Sequence, residues 1–254
     1  MTSLIQTPGF EKIENEVKTN SIEGWENTTG YNFGNDDKQK GAYALEFYQQ
    51  TFDMYQDIIG LPNGTYEVGV QLFNRIGGFD NDYKEFAKNP KAAQAYLYAV
   101  SGGKTSSAPA VCATAGALTS DPQITGESSQ TFEGTTYYMP NDMVSCAAFF
   151  DLGYYKTSLI VKVTENKLRI GVKKTEQIGD DWVLLDNFTL LYFGENSQKE
   201  ASDDVAGINT INVRGAKSEF FTLDGRKTNA AQKGIFIQKI VLENGKVLVR
   251  KVQK

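Results

Sequence analysis

Any catalysis by this chain would have to proceed without histidine, because its 254 residues contain none. That excludes Ser-His-Asp and Cys-His nucleophile systems, H-E-x-x-H zinc sites and histidine pH switches. Acid–base work falls to the carboxylates, 31 Asp and Glu in all. A glycosidase needs two of them roughly 5–10 Å apart across a sugar. Asp80, Asp82 and Glu85 cluster in sequence, as do Asp180 and Asp181. Solvated loops explain such clusters better than catalysis does, and no Gly-rich phosphate loop, nucleophile elbow or EF-hand pattern accompanies them. Asp186 differs, because it interrupts the apolar run from Trp182 to Tyr192. A carboxylate buried there needs a cation, a basic partner or hydrogen bonds from backbone N–H groups, for instance at a bulge.

Sugar recognition asks for an exposed aromatic face and polar groups for the hydroxyls. Trp25 and Trp182 begin apolar strands, so core packing is expected of them. Tyr83, Tyr137 and Tyr138 fall on irregular segments, where packing explains an aromatic less easily. Arg75 ends a strand where the long irregular stretch 76–139 begins. Its planar fork could reach a ligand at the rim, or pair with Asp80 or Asp82. If segments 76–93 and 101–139 fold to one end of the scaffold, Tyr83, Tyr137 and Tyr138 would supply stacking faces. Arg75 and Asp82 would then bond hydroxyls, on loops of the kind that commonly carry binding residues. Cys112 and Cys146 suit either one disulfide or two buried thiols.

These residues are positioned by strands. With 24 Gly, 13 Tyr and 15 Phe, the composition suits many strands joined by tight turns. Residues 51–59 and 65–73 alternate apolar and polar around Leu61-Pro62-Asn63-Gly64, a strand–turn–strand unit. Residues 158–163 and 168–172 flank Glu165-Asn166 as a hairpin, and 182–192 is a long strand. Pro140 opens a short helix through Phe150, with Gly153 after its end. The pattern predicts an all-β chain: a β-sandwich over 1–195, a polar linker over 196–207 and a small β domain over 208–254. A net charge of -5 and a pI near 5.0 argue against nucleic acid as a partner. No stretch reaches the ~18 apolar residues of a membrane span. The N-terminus shows no signal-peptide pattern, which leaves a cytosolic chain or a mature secreted one.

In order along the chain, Pro8-Gly9-Phe10-Glu11, Gly24-Trp25, Leu61-Pro62-Asn63-Gly64-Thr65-Tyr66 and Leu185-Asp186-Asn187-Phe188-Thr189-Leu190 resemble the galactose-binding-like jelly rolls. These are β-sandwich modules common among carbohydrate-binding domains. The resemblance implies a jelly roll over roughly 4–194 that binds a polysaccharide or glycan without catalysis. It also implies a structural Ca²⁺ between Glu11 and Asp186. Phe221-Thr222-Leu223-Asp224-Gly225-Arg226-Lys227, Lys233-Gly234-Ile235-Phe236-Ile237 and Asn244-Gly245-Lys246-Val247-Leu248-Val249 resemble a shortened sorting domain of the Bacteroidetes type IX secretion pathway. That implies the secretion machinery as a partner and a secreted or outer-membrane-surface location, the leader being absent from this sequence. A jelly-roll glycosidase or lyase with acids in 76–139, and an adhesin for a protein partner, are the competing expectations.

Overall fold

The computed structural model describes residues 1–33, 43–80, 93–113, 117–205, 217–222, 226–228, 235–241 and 247–253. Asp82 and Tyr83 lie outside them. The chain divides into two compact units, Met1–Gly207 and Ile208–Lys254. In the first, the strands are β1 (Glu11–Glu14), β2 (Val17–Asn20), β3 (Leu45–Tyr48), β4 (Phe52–Ile59), β5 (Gly64–Arg75), β6 (Ala95–Ser101) and β7 (Lys104–Pro109). They continue with β8 (Val111–Cys112), β9 (Ser129–Phe132), β10 (Thr135–Tyr138), β11 (Lys156–Val163), β12 (Lys167–Lys174) and β13 (Trp182–Gly194). A helix, α1 (Met143–Asp151), precedes β11. In the second unit, β14 (Lys217–Phe221), β15 (Lys227–Thr228), β16 (Ile235–Val241) and β17 (Val247–Gln253) form one antiparallel sheet in the order β15-β14-β16-β17.

Two sheets make the sandwich. One runs β11-β5-β13-β3 with β8 added beside β5; the other runs β4-β12-β6-β7. Apart from the parallel β5–β8 pair, their ladders are antiparallel. The all-β sandwich expected from the sequence is therefore the architecture found. Alternation explains which residues turn inward. Tyr66, Val68, Val70 and Leu72 of β5 meet Leu168, Ile170 and Val172 of β12 in one core, as period-2 strands with one buried face require. Trp25, Phe10 and Phe188 close it, with Trp25 and Phe188 ring centroids 4.5 Å apart.

A second core lies on the outer face of the β11-β5-β13-β3 sheet. Phe73, Trp182 and Leu184 point outward there and are covered by Met143, Cys146, Phe149 and Phe150 of α1. This double burial explains why β5 turns continuously apolar near its end, a pattern typical of strands covered on both faces. α1 starts at a reciprocal cap: the Asp142 carboxylate accepts from Ser145 N–H, and Ser145 Oγ accepts from Asp142 N–H. Sequence reading places the helix correctly but leaves 101–139 irregular. The structure finds β7, β8 and the β9–β10 hairpin there. Ser106 and Ser107 of β7 are buried polar residues, so the strand carries none of the apolar alternation that would reveal it.

Residues 200–204, within the stretch expected as linker, are hydrogen-bonded to the sandwich. Ser202 N–H donates to Ile160 O, and Ile160 N–H donates to Ser202 Oγ. Ser107 donates through N–H to Asp203 O and through Oγ to the Asp204 carboxylate. Among the described residues, no helix is long and apolar enough to cross a membrane.

Candidate functional site

The end of the sandwich where Arg75 leaves β5 is tied together by its own side chains. Arg75 is buried, donates from Nη1 to Asn141 Oδ1 at 2.8 Å and from Nε to Gly77 O at 3.2 Å, and lies 4.9 Å over the Trp182 ring. The donor fork expected at a rim therefore joins β5 to the start of α1. Asp80 accepts from Gln130 Nε2 at 2.7 Å, so the beginning of the first irregular segment and the β9–β10 hairpin do meet. Tyr137 and Tyr138 are half-buried and pack against the second core. They are not the bare platforms the sequence suggested.

The acid clusters are also structural where they are described. Asp181 is fully buried, its carboxylate 2.7 Å from Lys174 Nζ, which in turn donates to Gln50 O. Burial raises the Asp181 pKa and the Lys174 contact opposes that shift. Asp180 accepts from Tyr48 Oη and Gln49 Nε2. Cys112 and Cys146 are buried and not joined in a disulfide, and burial pushes the Cys146 thiol well up.

Asp186 sits at a β-bulge. The β13–β5 register shifts between Asp186 and Thr189, with Asn187 in the left-handed region (φ 55). The extra residue lets Phe188 turn into the core while Asp186 stays outside it. The carboxylate accepts from Asn187 N–H at 2.7 Å. Burial pushes its pKa up to about 8; the Asn187 bond works against this, and the Glu11 charge adds to it. Phe188 N–H donates to Pro8 O, which draws the N-terminal segment alongside β13 and sets Glu11 near Asp186. Glu11 pairs with Lys18 at 3.0 Å. The structure therefore brings the two acids of the first and last long segments into one neighbourhood. Among the described residues, no group of three or more His, Cys, Asp or Glu could hold a metal.

Beside that bulge is a feature the sequence reading missed. A groove of about 360 Å³ opens on the outer face of the β11-β5-β13-β3 sheet, next to the region α1 covers. Gly69 floors it, and Gln71, Ser158, Asn187 and Thr189 line it with amides and hydroxyls; Glu67 and Lys156 supply one charge of each sign. A Cβ on Gly69 would lie 2.6 Å from Thr189 Oγ1, so a larger residue at the floor would make that side chain shift. Two walls are fixed. Asn187 Nδ2 donates to Gln71 Oε1 at 2.7 Å, and Gln71 Nε2 donates to Phe150 O and Tyr154 O. Leu191, on the same outer face of β13, remains about half exposed. The visible signal was the alternation Glu67-Val68-Gly69-Val70-Gln71, which places polar residues on one face of a strand whose other face is core.

No family model and no curated protein matches the sequence. Among solved structures, the chain is similar to the module TmCBM61 in complex with β-1,4-galactotriose, at 15% identity and a TM-score of 0.35 over 74% of this chain and 97% of that one. It is also similar to a family 16 carbohydrate-binding module-2, at 9% identity and a TM-score of 0.29 over 59% and 77%. A third likeness is to the mannan-recognising carbohydrate-binding module TmCBM27, at 12% identity and a TM-score of 0.28 over 68% and 91%.

Proposed function

We propose that the sandwich is a non-catalytic glycan-binding module that acts at a bacterial cell surface. The observation that carries this reading is the groove beside the Asp186 bulge. Its lining is rich in neutral hydrogen-bonding groups, some of them held in place by bonds to one another, and a polyhydroxyl ligand needs such groups in fixed positions. The Asp181 and Asp180 carboxylates are engaged with Lys174, Tyr48 and Gln49, so that acid pair serves the fold. The surface location and a role for residues 208–254 in export rest on the resemblance of the C-terminal segment to a sorting domain.

A structural Ca²⁺ belongs to the same proposal. Glu11 and Asp186 offer hard oxygen ligands, and the Glu11 charge raises the cost of charge on Asp186. A divalent cation would relieve that repulsion. Backbone carbonyls and water would have to complete the six to eight ligands Ca²⁺ prefers, so the role is one of stability.

A glycan array followed by assay for new reducing ends tests the reading. Binding without product is expected, and Ser158→Trp, which fills the groove from an exposed position, should abolish it with an unchanged melting temperature. New reducing ends would show an enzyme. Binding that survives Ser158→Trp would remove the groove from the account.

A further inference from the structure

The other sheet carries a cavity that the groove does not explain. It measures about 240 Å³ and lies at the end of β4 and β12, lined by Asp57, Arg169, Lys167, Glu165 and the Gly102–Gly103 turn. Asp57, Arg169 and Lys167 are held by one another. The Arg169 guanidinium lies 3.7 Å over the Tyr55 ring and donates from Nε and Nη2 to the two Asp57 oxygens at 2.8 and 3.0 Å. Lys167 Nζ reaches the same carboxylate at 3.0 Å. The glycine turn is held from behind, because Ser101 Oγ donates to Lys167 O and accepts from Thr164 N–H. Gly102 and Gly103 both have positive φ, and a side chain at Gly102 would strike Thr164 Oγ1.

Two acids and two cations leave the cavity without net charge. An anion would meet Asp57 and Glu165, and a cation would meet Lys167 and Arg169. Among the described residues, no aromatic ring lines the cavity, so it offers no stacking face to a purely apolar ligand. Donors and acceptors that alternate over a space this size match the vicinal hydroxyls of a sugar, each of which donates and accepts at one atom. An Arg–carboxylate pair already joined gives up little further desolvation when hydroxyls bridge it.

We propose that this cavity is a second site, for an uncharged sugar residue, on the sheet opposite the groove. The full chain would then contact a glycan at two separate places and gain avidity from both. The site stands on its own lining and does not depend on the groove.

Residue-resolved amide NMR of the full chain tests it, with D-galactose, D-glucose and D-mannose as probes and D-galacturonate as the charged control. At least one neutral sugar should move the Gly102 and Gly103 amides with saturation, and galacturonate should move them much less. Arg169→Lys keeps the charge but loses the fork, and it should weaken that binding roughly tenfold, the worth of one charge-assisted hydrogen bond. Shifts at Ser158 and Thr189 report the groove separately. Movement there with Gly102 and Gly103 silent overturns the second site and leaves the groove. The reverse pattern keeps the second site and removes the groove. Galacturonate binding as tightly as the neutral sugars overturns the assignment of ligand class.

Discussion

Asp186 concentrates the physics of this molecule in one side chain. Its unfolded pKa is near 3.8 and its folded value is about 8, so over that range the folded chain holds a proton that the unfolded chain has released. The contribution of Asp186 to stability without metal should therefore fall as pH rises from about 4 to about 8 and level off above. Ca²⁺ at Glu11 and Asp186 would oppose the loss by binding the deprotonated form. Melting curves in chelator should show that decline, and added Ca²⁺ should raise the midpoint by several degrees, most at the alkaline end. Asp186→Asn should flatten both effects; a Ca²⁺ response that survives it would eliminate the site. Asp57 behaves oppositely: Arg169 and Lys167 hold it at about 2, so its contribution is present above pH 4 and lost as the pH falls through 2. Asp186 was legible in the sequence because one acid stood in an apolar strand. Arg75 was misread as a rim residue because a strand end looks the same whether the chain turns into solvent or, as here, into the second core, where Asn141 and Trp182 receive the guanidinium.

Elements were legible where one face is core and the other solvent. β4 and β12 follow the expected alternation because their inner residues meet only the opposite sheet. The second core was not legible, since α1, although placed by the sequence, meets there β8 and the β9–β10 hairpin, which are too short to show an apolar alternation. Its keystone is the helix N-terminus. Asp142→Ala takes away the carboxylate that Ser145 N–H donates to, while the Asp142 N–H bond to Ser145 Oγ can remain, and should cost about 1 kcal/mol. Chemical denaturation reads this directly, and a neutral result would mean that packing alone holds α1 in place. A larger effect is expected at Gly171, in the middle of β12 between β4 and β6. The Tyr98 ring crosses it, and a Cβ there would lie 2.4 Å from Met54 O and 2.7 Å from the ring. One of those neighbours is backbone of the adjacent strand and cannot step aside. Gly171→Ala should therefore destabilise by at least about 2 kcal/mol, in the upper part of the usual overpacking range, and a change below that would show that the sheet can widen at this point.

At the scale of the whole molecule, the question is what protects the sandwich at its open side. β11 ends one sheet and β7 ends the other, and bare edges invite pairing with a second chain. The 200–204 segment covers both: Ser202 exchanges hydrogen bonds with Ile160 of β11, and Asp203 and Asp204 accept from Ser107 of β7. Composition suggested a flexible linker, because Ser, Asp and Glu carry no apolar anchor. What holds the segment is backbone pairing and acceptor side chains, which leave no periodic trace in a sequence. Ser202→Pro isolates the effect, since it removes the N–H that Ile160 O accepts and the hydroxyl that Ile160 N–H reaches, without touching either core. Two hydrogen bonds at roughly 1 kcal/mol each are at stake. The midpoint of thermal unfolding should drop by several degrees. Sedimentation velocity should show association that grows with concentration, as Ile160 becomes available to another copy. Unfolding at a lower temperature with the chain still monomeric would mean that the segment only adds stability. An unchanged midpoint together with an unchanged monomer would mean that β11 needs no cover and that Ser107 alone fixes the segment.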